Sequence, residues 1–117
     1  MSLRSREVFV NGLRVDAGIG IYDHEHGRTQ PLFIDAVLRI DVHPIRSIKD
    51  TANYETVGTL ARALIARGHI DLVETLAEEL GAALCAQPHV QSVEVRIRKP
   101  TALPDAEAAG VRVVFER

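Results

Sequence analysis

Aromatic side chains are scarce in this chain. Three phenylalanines, two tyrosines and no tryptophan make up 4% of the residues, so a core has to be assembled from Val, Leu, Ile and Ala. Cysteine is scarcer still. Cys85 stands alone in an Ala-rich segment, which excludes a disulfide within the chain and fits a reducing compartment. Neither sign of charge dominates: 14 basic and 16 acidic residues leave a formal charge of −2. No basic field therefore invites nucleic acid or an anionic membrane. No apolar run approaches the ~20 residues of a membrane span, and no apolar h-region follows the arginines of Met1–Arg6. Repeats, low-complexity tracts and Pro/Gly/Ser-rich dividers are also missing. The expectation is one cytoplasmic domain spanning residues 1–117.

What is present is a periodicity that changes twice. Glu7–Val15 is β-like, with Val8, Phe9, Val10, Leu13 and Val15. Leu32–Val42 alternates cleanly, so Leu32, Ile34, Ala36, Leu38, Ile40 and Val42 share one face. The period turns helical near Tyr54. Val57, Leu60, Ala61, Leu64 and Ile65 form one stripe, and Gly68 suits the residue after the helix end. A second stripe joins Val73, Leu76, Ala77, Leu80 and Leu84 before Pro88. Asp71 and Glu74 have capping-box spacing, which predicts that this helix starts there. Val93, Val95 and Ile97, then Val111, Val113 and Phe115, alternate as two further strands.

The order ββααββ reads as an α+β domain. Two helices between the second and third strands allow those strands to pair antiparallel. The product is a four-stranded antiparallel sheet with both helices on one face. The other face keeps Phe33, Val37 and Val114, too apolar for a solvated surface. Outer strands also leave unpaired edges. Both features favour self-assembly.

Five places could carry chemistry. The linker from Asp16 to Pro31, at about 15 residues, is long for a hairpin, and long ordered loops are often functional. Within it, His24-Glu25-His26 lacks the spacing of a helical zinc motif and shows no third ligand, so the histidines read as solvated. Lys99 shares parity with Val93, Val95 and Ile97. Either its ammonium snorkels to water, or it is an amine in a dry pocket whose pKa desolvation would lower, fit for acid–base work. Glu74 is either the acid of a capping box or a carboxylate that grips a ligand's N–H edge by paired hydrogen bonds. Asn53 suits an N-cap, with Tyr54 opening the first helix.

Taken in order, three segments resemble the dihydroneopterin aldolase family. They are Ile19-Gly20-Ile21-Tyr22-Asp23-His24-Glu25, then Asn53-Tyr54, then Leu72-Val73-Glu74 with Ala77-Glu78-Glu79 followed by Val95-Arg96-Ile97-Arg98-Lys99-Pro100. The resemblance spans about Glu7 to Arg117. It implies the tunnelling fold, whose monomers close into a ring-like barrel. It also implies a homo-oligomer, tetramer or octamer, with active sites between subunits. The family's loop glutamate maps to Glu25, its helix tyrosine to Tyr54, its pterin-gripping glutamate to Glu74 and its lysine to Lys99. Leu72 and Val73 match positions whose backbone holds the pterin edge, and Asn53 joins the substrate-binding set. The implied reaction is retro-aldol cleavage of 7,8-dihydroneopterin in folate biosynthesis, with no metal, no cofactor and no Schiff base. The alternative is the related dihydroneopterin triphosphate 2′-epimerase. The acidic 103–109 segment argues against a triphosphate.

Overall fold

A computed structural model describes all 117 residues. Four strands, β1 (Arg6–Ala17), β2 (Gln30–Ile40), β3 (Val90–Lys99) and β4 (Ala109–Glu116), form one antiparallel sheet in the order 1-2-3-4. Helices α1 (Glu55–Ile65) and α2 (Val73–Cys85) lie between β2 and β3 in the chain. The α+β reading and its ββααββ order hold. One apolar cluster joins sheet and helices. Ile34, Leu38, Val95 and Ile97 from the sheet meet Val57 and Ala61 of α1 and Leu76, Leu80 and Leu84 of α2, all essentially without solvent exposure. These residues share a parity along each strand and a stripe along each helix, which is why both helices cover the same face. Truncating one of the buried leucines to alanine costs about 2–5 kcal/mol by the usual sum of lost transfer energy and cavity.

β1 is less simple than its apolar residues suggest. Val8 and Val10 pair with Leu38 and Ala36, but Leu13 pairs with Ile34, so one extra residue sits between Val10 and Leu13. Gly12 takes φ 64°, and its N–H donates to Asp35 Oδ1 at 2.6 Å. This bulge changes the parity of the strand. Without it, Val8 and Val10 would face opposite to Leu13, Val15 and Ala17; with it, all five turn toward the core.

Three sequence expectations are corrected. β2 stops at Ile40, and Val42 lies outside it, exposed, because the chain leaves the sheet at Asp41. The long linker shrinks to residues 18–29, since Ala17 and Gln30 still pair. The Asp71–Glu74 capping box does not form. Leu72 is the N-cap of α2 in an extended conformation, and no side chain bonds the helix start. Asn53, by contrast, does cap α1: its Oδ1 accepts from the Glu55 N–H at 2.9 Å, although the helix begins one residue later than a simple N-cap would place it.

The uncovered face of the sheet carries exposed Phe9 and Val114, with Phe33 and Val37 half-buried. Arg98 lies 5.7 Å from the Phe33 ring and pairs with Asp35 at 3.1 Å. No helix is long and apolar enough to cross a membrane.

Candidate active site

Lys99 ends β3 with its side chain on the helix-covered side, as the parity of Val95 and Ile97 requires. Its ammonium does not snorkel to water. The side chain is only 13% exposed and pairs with Glu25 Oε2. The sequence had left the solvated reading of Lys99 open, and the geometry overturns it.

Glu25 is delivered by a 3-10 turn, Asp23–Glu25, in the loop between β1 and β2. It is 6% exposed, the one buried charged residue of the chain. Both of its oxygens have partners. Oε2 accepts from the Lys99 ammonium and from Gln30 Nε2 at 2.9 Å, and Oε1 accepts from the Tyr22 N–H at 3.3 Å. The Lys99 bond first, and the Gln30 bond next, outweigh burial and hold the Glu25 carboxyl down at about 2. Glycine at position 20 makes room for this. Gly20 takes φ 127°, and a Cβ there would land on the Glu25 carboxylate.

Gln30 and Thr101 are the residues that motif reading missed. Gln30 Nε2 donates to both Glu25 and the Ile19 carbonyl, the latter at 2.7 Å, while its Oε1 accepts from Thr101 Oγ1 at 2.6 Å. One signal was available: Gln30 shares parity with Leu32 and Ile34, so a polar side chain was aimed into the core at the strand's first position.

This network opens on a cleft of about 500 Å³. Glu25 and Lys99 line one side, and Leu72, Val73 and Glu74 at the start of α2 line another. Ala102 and Leu103, from the turn between β3 and β4, make a third wall. Glu74 sits in the first turn of α2, exposed, with no hydrogen-bond or ion-pair partner of its own. A carboxylate there is favoured by the helix dipole and remains free to accept two N–H donors.

Two walls of the cleft are stitched by backbone. Ile19 and Ile70 form a parallel bridge: the Gly20 N–H donates to the Ile70 carbonyl and the Ile70 N–H to the Gly18 carbonyl, both at 2.9 Å. His69 Nε2 adds a contact of 2.7 Å to the Gly20 carbonyl. His24 and His26 do not converge. His24 stacks over Tyr22 with centroids 5.9 Å apart, and His26 stacks on His69 at 3.8 Å, beside Asp71. Both histidines are exposed, as the solvated reading expects, while His26 gains neighbours from the distant α1–α2 connection that the sequence did not show.

Tyr54 and Asn53 lie elsewhere. They border a separate depression of about 320 Å³ with Val8 and Ile48. Val8 pairs with Leu38, eight residues along β2 from Gln30, which is about 26 Å at the usual strand rise. Tyr54 is 59% exposed there. Within one chain, five of the seven expected site residues gather and two do not.

An ion-paired lysine and glutamate beside a half-apolar cleft, with a free carboxylate across it, have the chemistry of an acid–base site for a small molecule with N–H donors. Comparison with known proteins narrows the class. The model of the family FolB: Dihydroneopterin aldolase matches residues 8–116. The dihydroneopterin aldolase of Escherichia coli K12 is 31% identical over 115 residues, covering 94% of this chain and 91% of the relative. That of Streptomyces coelicolor is 32% identical over 98 residues, covering 81% and 82%. Among solved structures, a Vibrio cholerae FolB protein superposes with a TM-score of 0.87 at 30% identity, over 98% of this chain and 100% of that one. The E. coli enzyme in complex with neopterin gives a TM-score of 0.82 at 26% identity, over 94% and 98%. The chain belongs to the dihydroneopterin aldolase family.

Proposed function

We propose that this chain cleaves 7,8-dihydroneopterin between C1′ and C2′, yielding 6-hydroxymethyl-7,8-dihydropterin and glycolaldehyde, a step toward folate. The observation that carries the reading is the Lys99–Glu25 pair, its glutamate buried, facing the same cleft as the unpartnered Glu74. Neopterin bound to the E. coli relative and guanine bound to a Burkholderia relative support a ligand with that N–H edge.

The chemistry follows from the substrate. A proton leaves the 2′-hydroxyl, the C1′–C2′ bond breaks, and its electron pair enters the ring through C1′ and C6 to N5. The N5=C6 imine of the dihydropterin becomes an enamine, so the ring itself supplies the electron sink. Neither a Schiff base nor a metal is required at the reacting carbons. A proton then returns to C1′. What the protein must add is positioning and proton transfer. Glu74 and the backbone of Leu72 and Val73 anchor the pterin edge. Lys99 is the general acid and base, and Glu25 orients it or a water. Tyr54, with Asn53 beside it, relays protons from a neighbouring copy of the chain. That last assignment is supported by the distance between Tyr54 and the cleft, and by the open edges of β1 and β4 together with exposed Phe9 and Val114, which suit a homo-oligomer, tetramer or octamer. A cytoplasmic setting fits the single unpaired Cys85.

Product analysis tests the proposal. Purified protein is incubated with 7,8-dihydroneopterin and, separately, with its triphosphate, in the presence of a chelator. Glycolaldehyde and the hydroxymethyl pterin from the unphosphorylated substrate are expected. Inversion at C2′ of the triphosphate, with neither compound cleaved, would make the protein the epimerase instead.

A further inference from the structure

At the end of the sheet away from the cleft, three metal-binding side chains gather that the acid–base chemistry does not use. We infer that Asp41, His43 and His89 form a binding site for a dication of the zinc class, which pins this end of the sheet to the loop carrying Asn53 and Tyr54. The inference stands apart from the proposed aldolase chemistry, which takes place elsewhere in the chain.

The site is built by the sheet register. Ile40 pairs with Val90, so the residues just beyond them, Asp41 and His89, leave the sheet side by side. The Asp41 N–H donates to the His89 carbonyl at 2.9 Å. One ligand atom from each of Asp41, His43 and His89 lies within 4.8 Å of the others. The carboxylate is divided between two tasks. Asp41 Oδ1 accepts from the Gln91 amide, while Oδ2 faces both imidazoles, 3.2 Å from His89 Nδ1 and 3.9 Å from His43 Nδ1. Gln91 can reach back because it is the extra residue of a bulge between the Arg39 and Ile40 pairings.

The decisive detail is the tautomer of His43. Its Nε2 lies 2.7 Å from the Asp50 carbonyl, and a carbonyl can only accept, so Nε2 carries the hydrogen. In the neutral ring the lone pair then sits on Nδ1, aimed at the Asp41 carboxylate. Asp41 Oδ2 meanwhile accepts from the His89 Nδ1–H at 3.2 Å, a hydrogen that a bound dication would displace. An imidazole that donates its far N–H to a backbone carbonyl while its near nitrogen stays free is the arrangement that metal-ligating histidines adopt. His89 adds a second sign. It is the one non-glycine residue with positive φ, at 70°, a conformation that costs energy for a side-chain-bearing residue. Here it holds the ring over Asp41. The two rings meet edge to face, at 73° with centroids 4.8 Å apart, so their nitrogens point in different directions around a shared space. Arg6 binds the carbonyl of His43 at 2.9 Å, leaving the imidazole and carboxylate side free. All three ligands are half-buried, so solvent can supply a fourth ligand.

Two imidazoles and one carboxylate suit zinc, cobalt or nickel better than magnesium or calcium, which take oxygen donors. Zinc–nitrogen bonds of ~2.0–2.1 Å put neighbouring donors about 3.3 Å apart, so the observed spread closes by small side-chain rotations. The second histidine cluster, His26 with His69 and Asp71, lacks this geometry. Its rings lie almost parallel, 23° apart, and its members are exposed.

The test is a calorimetric titration of tag-free, chelator-stripped protein with zinc chloride, paralleled by the visible spectrum with cobalt. One zinc per chain with micromolar affinity or better is expected, together with cobalt bands of a low-coordinate nitrogen–oxygen site. Affinity should fall at least ~10-fold in His43→Ala and in His89→Ala, and also in the isosteric Asp41→Asn, each confirmed as folded by circular dichroism. The double variant His26→Ala/His69→Ala should bind as the parent does. No saturable binding, or binding that survives the first three variants and vanishes in the double variant, overturns the inference.

Discussion

The two ends of this sheet both collect carboxylates held below their ordinary pKa, and they do it by different means. At the cleft, Glu25 is buried and its partners are a largely covered ammonium and a buried amide. At the far end, Asp41 is lowered first by the Gln91 amide and then by His89, and Asp50 first by the backbone N–H of Arg46. Those partners stand in reach of solvent. A lowered carboxylate pKa thus does not by itself single out the reacting end. The discriminating feature is what the pair faces. Glu25 and Lys99 face a cleft with mixed apolar and polar walls, whereas Asp41 and Asp50 face loop backbone and imidazoles that tie one strand end to another.

The sharpest way to break this comparison is to remove a charge from the reacting end. Lys99→Ala should lower turnover about 10³-fold while pterin affinity, read by fluorescence quenching, stays within a few-fold. Near-normal turnover would sink the assigned roles. Next in size is a test of whether the two ends meet across subunits. Lys99→Ala and Tyr54→Phe should each be strongly impaired. A one-to-one mixture, dissociated and reassembled, should regain about a quarter of parental activity, because random assortment leaves that share of sites with both residues. Absence of any recovery would place both residues' functions within a single chain. Glu74→Ala should weaken pterin binding roughly 10–100-fold, as loss of a charged hydrogen-bonding partner predicts, with little change in unfolding midpoint because the side chain is exposed and unpartnered.

The smallest effect concerns acid. The folded pKa of Glu25, about 2, lies below its value in an unfolded chain. The stability from its pairing is therefore complete above the unfolded pKa and is lost as pH falls through about 2. Urea midpoints measured from neutral pH down to that range should decline for the parent and decline less for Glu25→Gln. Asp41→Asn should flatten the profile less, and added salt should shrink its contribution further, since screening reaches exposed partners and not buried ones.

Much of this architecture was legible in alternation and stripe. Leu32 to Ile40, the two helix stripes and the parity of Lys99 all translated directly, because each depends on neighbours a few residues away. The failures share a cause. The bulge at Gly12 is visible only against the partner strand, where Leu13 meets Ile34. Asp71 has the spacing of a cap, yet Leu72 takes that role, and His69, two residues before Asp71, is drawn instead to the Gly20 carbonyl. Gln30 and Thr101 carry no motif; their importance arises from Glu25, which reaches them through a fold that sequence periodicity cannot close. Five of the seven expected residues, Glu25, Leu72, Val73, Glu74 and Lys99, gather at one cleft, Asn53 and Tyr54 lie apart, and the network around Glu25 was not legible.

The short parallel bridge between Ile19 and Ile70 has a mechanical consequence. It welds the loop bearing Glu25 to the connection that leads into Glu74, so those two walls travel as one body. The third wall, residues 101–107, is exposed and held by little beyond two local turns and the Thr101 hydroxyl. That segment is therefore the wall that can shift without breaking the bridge.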